Sequence, residues 1–167
     1  MNTRKIVVSS LLVALTTVLT MFVKIPLSAF GYVHLGDTII FLACYLLKPK
    51  YSFAVAGLGS ALADVILGYF VYAPVTFAVK IAVALCFSFI IYAKPTLLRQ
   101  IIGVVLSSLI IAFGYFLFEG FMYGFAPSLY NVPFNLAQGG VCGAIGILLI
   151  KICDRVKPLK EFRDKLK

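Results

Sequence analysis

Ile101–Met122 reads IIGVVLSSLIIAFGYFLFEGFM, a run of 22 residues in which only Glu119 carries a charge. A helix needs about 20 mostly apolar residues to cross the hydrocarbon core of a bilayer. This run meets that length, and the chain around it repeats the pattern. Further apolar runs cover Ile6–Val23, a second stretch ending at Leu47, about Tyr51 to Phe70, about Val75 to Ala93, and Pro133 to near Ile152. The start of the second stretch is obscured by Gly31, His34, Gly36 and Asp37. Pro133 reads as the opening of the last helix, because proline suits a first helical turn, and the free N–H groups of that turn are then expected to face any cavity at the outer end.

Composition supports this reading. Of 167 residues, 62% are apolar and 13% charged, against about 45–50% apolar in soluble domains. Mean hydropathy is +1.07. A soluble domain of this size leaves about 30% of its chain surface exposed and has nowhere to hide so much apolar area. Six spans take up most of the chain, so the expectation is an all-α integral membrane protein forming one domain over residues 1–167. Arg4 and Lys5 before the first run resemble the start of a signal peptide, but the run exceeds a usual signal core. Leu27-Ser28-Ala29 also offers no small-x-small cleavage site, so a retained first helix is expected.

Threading six spans through the chain sorts the basic residues. Arg4 and Lys5, Lys48 and Lys50, Lys94 and Arg99, and the seven from Lys151 to Lys167 fall on one side, 13 of 15 in all. Lys24 is alone opposite and Lys80 lies within a span. The positive-inside rule then places both termini in the cytoplasm, with outer loops over Lys24–His34, Phe70–Pro74 and Tyr123–Val132. The net charge of +9 is thereby a topology signal, and nucleic acid is not an expected partner. Cys44, Cys86, Cys142 and Cys153 sit in or at the ends of apolar runs without a CxxC pair and read as small packing residues.

The ionisable residues inside the spans carry the functional information. Asp37, Asp64, Lys80 and Glu119 are costly at membrane depth, and such groups usually face a bundle interior or a cavity. All fall toward the outer ends of their helices, as do Asn135 and Gln138. Tyr115, Glu119 and Tyr123 share a face of the fifth helix by their spacing. Thr76 shares one with Lys80. Lys80 reads as a structural partner of Asp64 or Glu119 or as a ligand contact; Asp37 and Asp64 are also candidates to pair with it and hold the walls. His34 reads equally as a loop or capping residue or as a ligand contact. Tyr32, Tyr69 and Tyr72 belong to an interfacial aromatic belt or to stacking walls around a flat ring. Three acids and one lysine leave a net −2 if all ionise. That suits a neutral or protonatable ring bearing amino or hydroxyl groups better than an anion. No P-loop, HExxH or GxSxG motif occurs, so the chain itself has no means of hydrolysing ATP.

Tyr32-Val33-His34-Leu35-Gly36-Asp37, Gly57-Leu58-Gly59-Ser60-Ala61-Leu62-Ala63-Asp64, Tyr72-Ala73-Pro74-Val75-Thr76 leading to Lys80, and Asn131-Val132-Pro133-Phe134-Asn135-Leu136-Ala137-Gln138 together resemble the S components of energy-coupling factor (ECF) vitamin transporters. The resemblance runs from Ile6 to Ile152 and is to the hydroxymethylpyrimidine, pyridoxine or riboflavin branch. It implies a six-helix subunit that binds a vitamin near the outer surface and has no cofactor of its own. It also implies docking on a transmembrane coupling protein with two ATPases that use the ATP. The family docks through an Ala-xxx-Ala face on the first helix, matched here by Ser10 and Ala14. The expected substrate is hydroxymethylpyrimidine. The expected contacts are His34, Asp37, Asp64, Lys80, Tyr115, Glu119, Tyr123, Asn131, Asn135 and Gln138, with no metal. Two readings from other classes compete: an intramembrane enzyme using Asp64 and Glu119 as paired acids, and a scaffold whose polar groups only knit the bundle.

Overall fold

The computed structural model describes residues 3–26, 32–92 and 94–166. Within these the chain forms α1 (Thr3–Phe22), β1 (Lys24–Pro26), β2 (Tyr32–His34), α2 (Asp37–Leu46), α3 (Pro49–Ile66), α4 (Ala73–Ile91), α5 (Leu97–Tyr123), α6 (Phe125–Arg155) and α7 (Lys157–Leu166). Leu27–Phe30 and Gly31 in the expected first outer loop, the Ala93 end of the expected fourth span, and Lys167 lie outside the described residues.

Four helices, α1, α4, α5 and α6, are long and apolar enough to cross a membrane. The bundle is apolar outside and more polar within, as lipid requires. On α1 the buried stripe is Ser9, Leu12, Thr16, Thr17 and Thr20, while Val7, Leu11, Leu15 and Val18 face outward. The buried hydroxyls are satisfied along the helix: Ser9 donates to Lys5 O (2.7 Å) and Thr16 to Leu12 O (2.8 Å). Thr17 also donates across to Gly59 O of α3 at 2.8 Å. That contact needs glycine, because a Cβ at Gly59 would stand 2.8 Å from Thr16 Cβ. The α5–α6 pair is equally close: a Cβ at Gly139 would meet Ser108 Cα at 2.8 Å. Small residues permit such backbone approaches in lipid.

The second apolar run becomes α2, only ten residues and about 15 Å long. It opens at Asp37, after the interruption by His34 and Gly36. Nearly all of it is buried, so it is the central helix. Phe41 meets Phe87 of α4 edge-on at 4.8 Å between ring centres. Ile40, Tyr45, Val83, Ile111, Cys142 and Ile150 complete the core around them. The cysteines are free. Cys142 Sγ donates to His34 O (3.3 Å) and Cys44 Sγ to Ala84 O (3.6 Å).

Three features depart from the sequence expectation. First, α1 and α2 are joined through an antiparallel ribbon, with Lys24 opposite His34, Ile25 opposite Val33 and Pro26 opposite Tyr32. Second, the last long helix does not begin at Pro133. It begins at Phe125, directly after Gly124 at φ +100°, so residues 125–132 are helix and not loop. One glycine in the left-handed region suffices for the reversal. Pro133 sits inside the helix, where membrane helices tolerate it. Third, the basic tail folds into α7. Arg163 pairs with Asp154 (3.0 Å) and contacts the Tyr45 hydroxyl, which itself donates to Asp154. Leu166 is buried against Leu12, Ile39, Ala43, Leu47 and Val55.

Candidate functional site

The hairpin end of the bundle holds a polar recess, built in two tiers. The lower tier is an ion pair. Asp37 opens α2, where the positive end of the helix favours a carboxylate, and Lys80 lies about two turns into α4. Lys80 Nζ stands 2.7 Å from Asp37 Oδ1 and 2.8 Å from Oδ2, both side chains fully buried. Gln138 of α6 completes it: its Nε2 donates to Asp37 Oδ2 (2.7 Å), and its Oε1 accepts from the His34 backbone N–H (3.0 Å). The Lys80 ammonium also lies over the Tyr115 ring at 5.7 Å. Five elements, β2, α2, α4, α5 and α6, are thereby tied together beneath the recess.

The upper tier is the wall, formed by α1, β2 and α3 through α6. Tyr32 of the hairpin donates to Asp64 Oδ1 at 2.6 Å. Asp64 Oδ2 is buried and takes no hydrogen bond of ordinary geometry. Across α5 and α6, Glu119 accepts from Asn131 Nδ2 (2.9 Å) and the Tyr72 hydroxyl (3.4 Å). Thr76 and Tyr115 share a hydrogen bond of 3.0 Å. Tyr32 packs on Tyr69 at 5.1 Å between ring centres, and Tyr69 meets Tyr72 edge-on at 6.1 Å. Burial, then the Asp64 carboxylate, push the Tyr32 phenol far above its usual range, so it stays a donor. His34 is neutral: burial pushes its pKa down to about 4 against the opposing pull of Asp37. Its Nδ1 accepts from Gly36 N at 3.0 Å, which leaves the ring proton on Nε2.

The recess encloses about 30 Å³. Of the residues expected from sequence, His34, Asp64, Tyr115, Glu119, Asn135 and Gln138 line it. Asp37 and Lys80 lie beneath as the ion pair. Asn131 is behind Glu119. Tyr123, at the exposed end of α5, is not on the wall. Asp64 does not pair with Lys80 as the sequence reading allowed; Asp37 occupies both contacts of that ammonium, and Asp64 turns to Tyr32. Free N–H groups at Pro133 do not face the recess, because that turn is helix interior. Thr20, Tyr32, Tyr69, Tyr72 and Thr76 join the wall. The tyrosines were legible as stacking walls but not distinguishable from an interfacial belt. Thr20 left no signal, being one more hydroxyl in an apolar helix. Ser10 and Ala14 are exposed on α1, away from the recess.

These features define a helical, multi-pass membrane protein with a small polar recess near one end and, among the described residues, no cluster of metal-ligating side chains. The family of ECF-type riboflavin transporter S components matches residues 1–155, and the chain belongs to that family. A protein of Pyrococcus woesei described as "Uncharacterized protein in gap 3'region" is 32% identical over 150 residues, which cover 87% of this chain and 99% of that one. The protein is therefore a membrane substrate-binding subunit of an ECF importer, a transporter subunit and not an enzyme, and a partner of the ECF module.

Proposed function

We propose that the recess takes a flat nitrogen heterocycle bearing amino or hydroxyl groups, hydroxymethylpyrimidine in the first place. The observation that carries this reading is Asp64 Oδ2, a buried carboxylate oxygen on the recess wall that takes no hydrogen bond of ordinary geometry. Glu119 is the second carboxylate of the wall, and among the described residues the wall contains no lysine or arginine. The Lys80 charge is taken up by Asp37 below. Two acids facing a space without a cation call for a ligand that donates hydrogen bonds, and an aminopyrimidine edge does so. About 30 Å³ is room for water and not for a ring, so binding moves side chains. Tyr32 is the natural one to yield, since its departure also frees Asp64 Oδ1. Asn135 and Gln138 supply donors and acceptors.

The family description and the tyrosine wall favour a second reading, riboflavin, whose ring system demands a larger opening. Mass spectrometry of denatured, freshly purified protein is expected to show an unmodified heterocycle. Titration of the ligand-free protein with hydroxymethylpyrimidine and with riboflavin then separates the two. Tight binding of riboflavin alone would replace the first reading, and binding of neither would remove both.

In this proposal α1 to α6 cross the membrane, with the hairpin extending short α2 toward the outer surface and both termini cytoplasmic. The carrying signal is the 13 basic residues grouped at one end. In a background lacking the four native cysteines, Tyr130→Cys on the exposed start of α6 should react with an impermeant maleimide in intact cells. Lys160→Cys should react only after permeabilisation; reaction at Lys160→Cys from outside ends this topology.

Docking on the coupling protein, with ATP used by two separate ATPases, is proposed through Ser10 and Ala14. They lie one turn apart on an exposed helix face, a shallow groove for another helix. Ala14→Leu should weaken co-purification of the coupling protein while leaving ligand affinity of the isolated subunit within about twofold, since no new hydrogen bond is lost at the recess. Equal loss of both would show that this face packs inside the subunit.

A further inference from the structure

The basic end of the bundle holds a second cavity, unrelated to the recess. It lies between two chain reversals, the α2–α3 turn at Leu47–Pro49 and the α4–α5 link at Tyr92–Pro95, and encloses about 370 Å³. Its inner wall is Cys44, Leu47 and Ile91, all buried. Ser88, only 8% exposed, also lines it, and its Oγ takes no hydrogen bond of ordinary geometry. The Cys44 thiol on the same wall donates to Ala84 O, and its sulfur interacts with the Ser88 hydroxyl. Ser9, Ser108 and Ser128 bond their own preceding turns, whereas Ser60 and Ser107, like Ser88, do not. At the rim stand Lys48 and Tyr92, the latter 82% exposed.

Two observations say what this cavity takes. The first is charge. Lys48, Lys50, Lys94 and Arg99 flank it in sequence, and no acid occurs between Asp37 and Asp64 or between Asp64 and Glu119. Among the described residues none of these four cations forms an ion pair. The second is shape. The cavity shares Pro49, Ser88 and Tyr92 with an apolar groove of about 270 Å³ along Phe53, Leu85 and Phe89, between α3 and α4. A cationic, hydroxyl-bearing pocket thus opens directly into a groove on the apolar flank of two membrane helices.

We propose that this cleft binds an anionic phospholipid of the leaflet at the basic end. Its phosphate meets Lys48, its headgroup hydroxyl bonds Ser88 Oγ or the Tyr92 hydroxyl, and the start of one acyl chain lies along Phe53, Leu85 and Phe89. A lysine near an anionic headgroup and a chain in an apolar groove act together, so neither inorganic phosphate nor a zwitterionic lipid satisfies the cleft.

The test is native mass spectrometry of the full-length protein released from neutral detergent, titrated with phosphatidylglycerol, phosphatidylcholine of the same chains, or inorganic phosphate. Phosphatidylglycerol should be retained about fivefold more than phosphatidylcholine, the effect of roughly one lysine at an anionic surface. Lys48→Gln should abolish that preference, whereas Lys157→Gln, on α7, should preserve it. Ser88→Phe, which fills the cleft, should lower retention of both lipids; because it can also impair folding, Lys48→Gln decides. Equal retention of the two lipids overturns the proposal. Equal effects of Lys48→Gln and Lys157→Gln overturn it in favour of diffuse surface charge. Displacement of the lipid by inorganic phosphate overturns it in favour of a simple anion site.

Discussion

Lys80→Met is expected to be the most damaging single substitution in the bundle, costing about 3–5 kcal/mol, because it leaves a buried carboxylate charged and unpaired. The pair it breaks is wholly inaccessible, and Asp37 retains only the Gln138 amide as a partner. The accompanying double substitution distinguishes this cause from lost packing. Asp37→Asn with Lys80→Gln removes both charges together while keeping polar groups that can bond each other and Gln138. It should recover most of the lost stability, since replacing a buried pair by neutral groups is often close to neutral. Thermal unfolding in detergent, followed with a thiol-reactive dye on the buried cysteines, reports both. A Lys80→Met protein as stable as the parent would show that the ion pair does not hold the bundle. The same network carries the His34 backbone, so loss of the pair should also loosen the hairpin beside the recess.

Asp64→Asn and Glu119→Gln are expected to behave oppositely: little change in stability and a large loss of ligand. Each keeps a carbonyl oxygen for its present donors. Tyr32 still bonds position 64; at position 119 the amide oxygen still accepts from Asn131, and the amide NH2 donates to the Tyr72 hydroxyl, which then accepts. Each removes a charged acceptor that a ligand donor would meet. A hydrogen bond lost in a dry site is worth about 1–3 kcal/mol, which is ~5–150-fold in affinity. Asn135→Ala should have an effect of the same order. Isothermal titration with hydroxymethylpyrimidine or riboflavin measures it, with melting temperature as the control. Normal affinity in a well-folded Asp64→Asn/Glu119→Gln double variant would place the ligand somewhere other than this recess.

The two sets of residues illustrate which facts a linear chain can express. That Asp37, Asp64, Lys80 and Glu119 matter follows from the cost of charge at membrane depth. That cost is a property of each residue and its flanking apolar run, so it is legible without coordinates. Which acid Lys80 takes is a property of three-dimensional approach. Asp37 and Asp64 are equivalent candidates by composition. The shortness of α2 brings its first residue alongside Lys80 of α4, while the hairpin carries Tyr32 to Asp64. Neither the ten-residue length of α2 nor the ribbon has a strong local signature. Three-residue strands are too short for alternation to show.

The sixth helix shows the same division. Pro133 has the same local meaning at a first turn or inside a membrane helix, and only Gly124 at φ +100° decides that the helix starts eight residues earlier. That choice turns Asn131 from a loop residue into a buried partner of Glu119 and withdraws the free backbone N–H groups expected at the recess. By itself the sequence determined the membrane class, the apolar runs and the residue types gathered toward one end. These depend on transfer of single side chains and segments between water and lipid, which is additive along the chain. The pairing of Lys80 with Asp37, the turn of Asp64 toward Tyr32, the tyrosine wall and the cleft at the basic end were decided only by tertiary structure. Each depends on which helices approach one another, through small residues such as Gly59 and Gly139 whose partners lie more than thirty positions away.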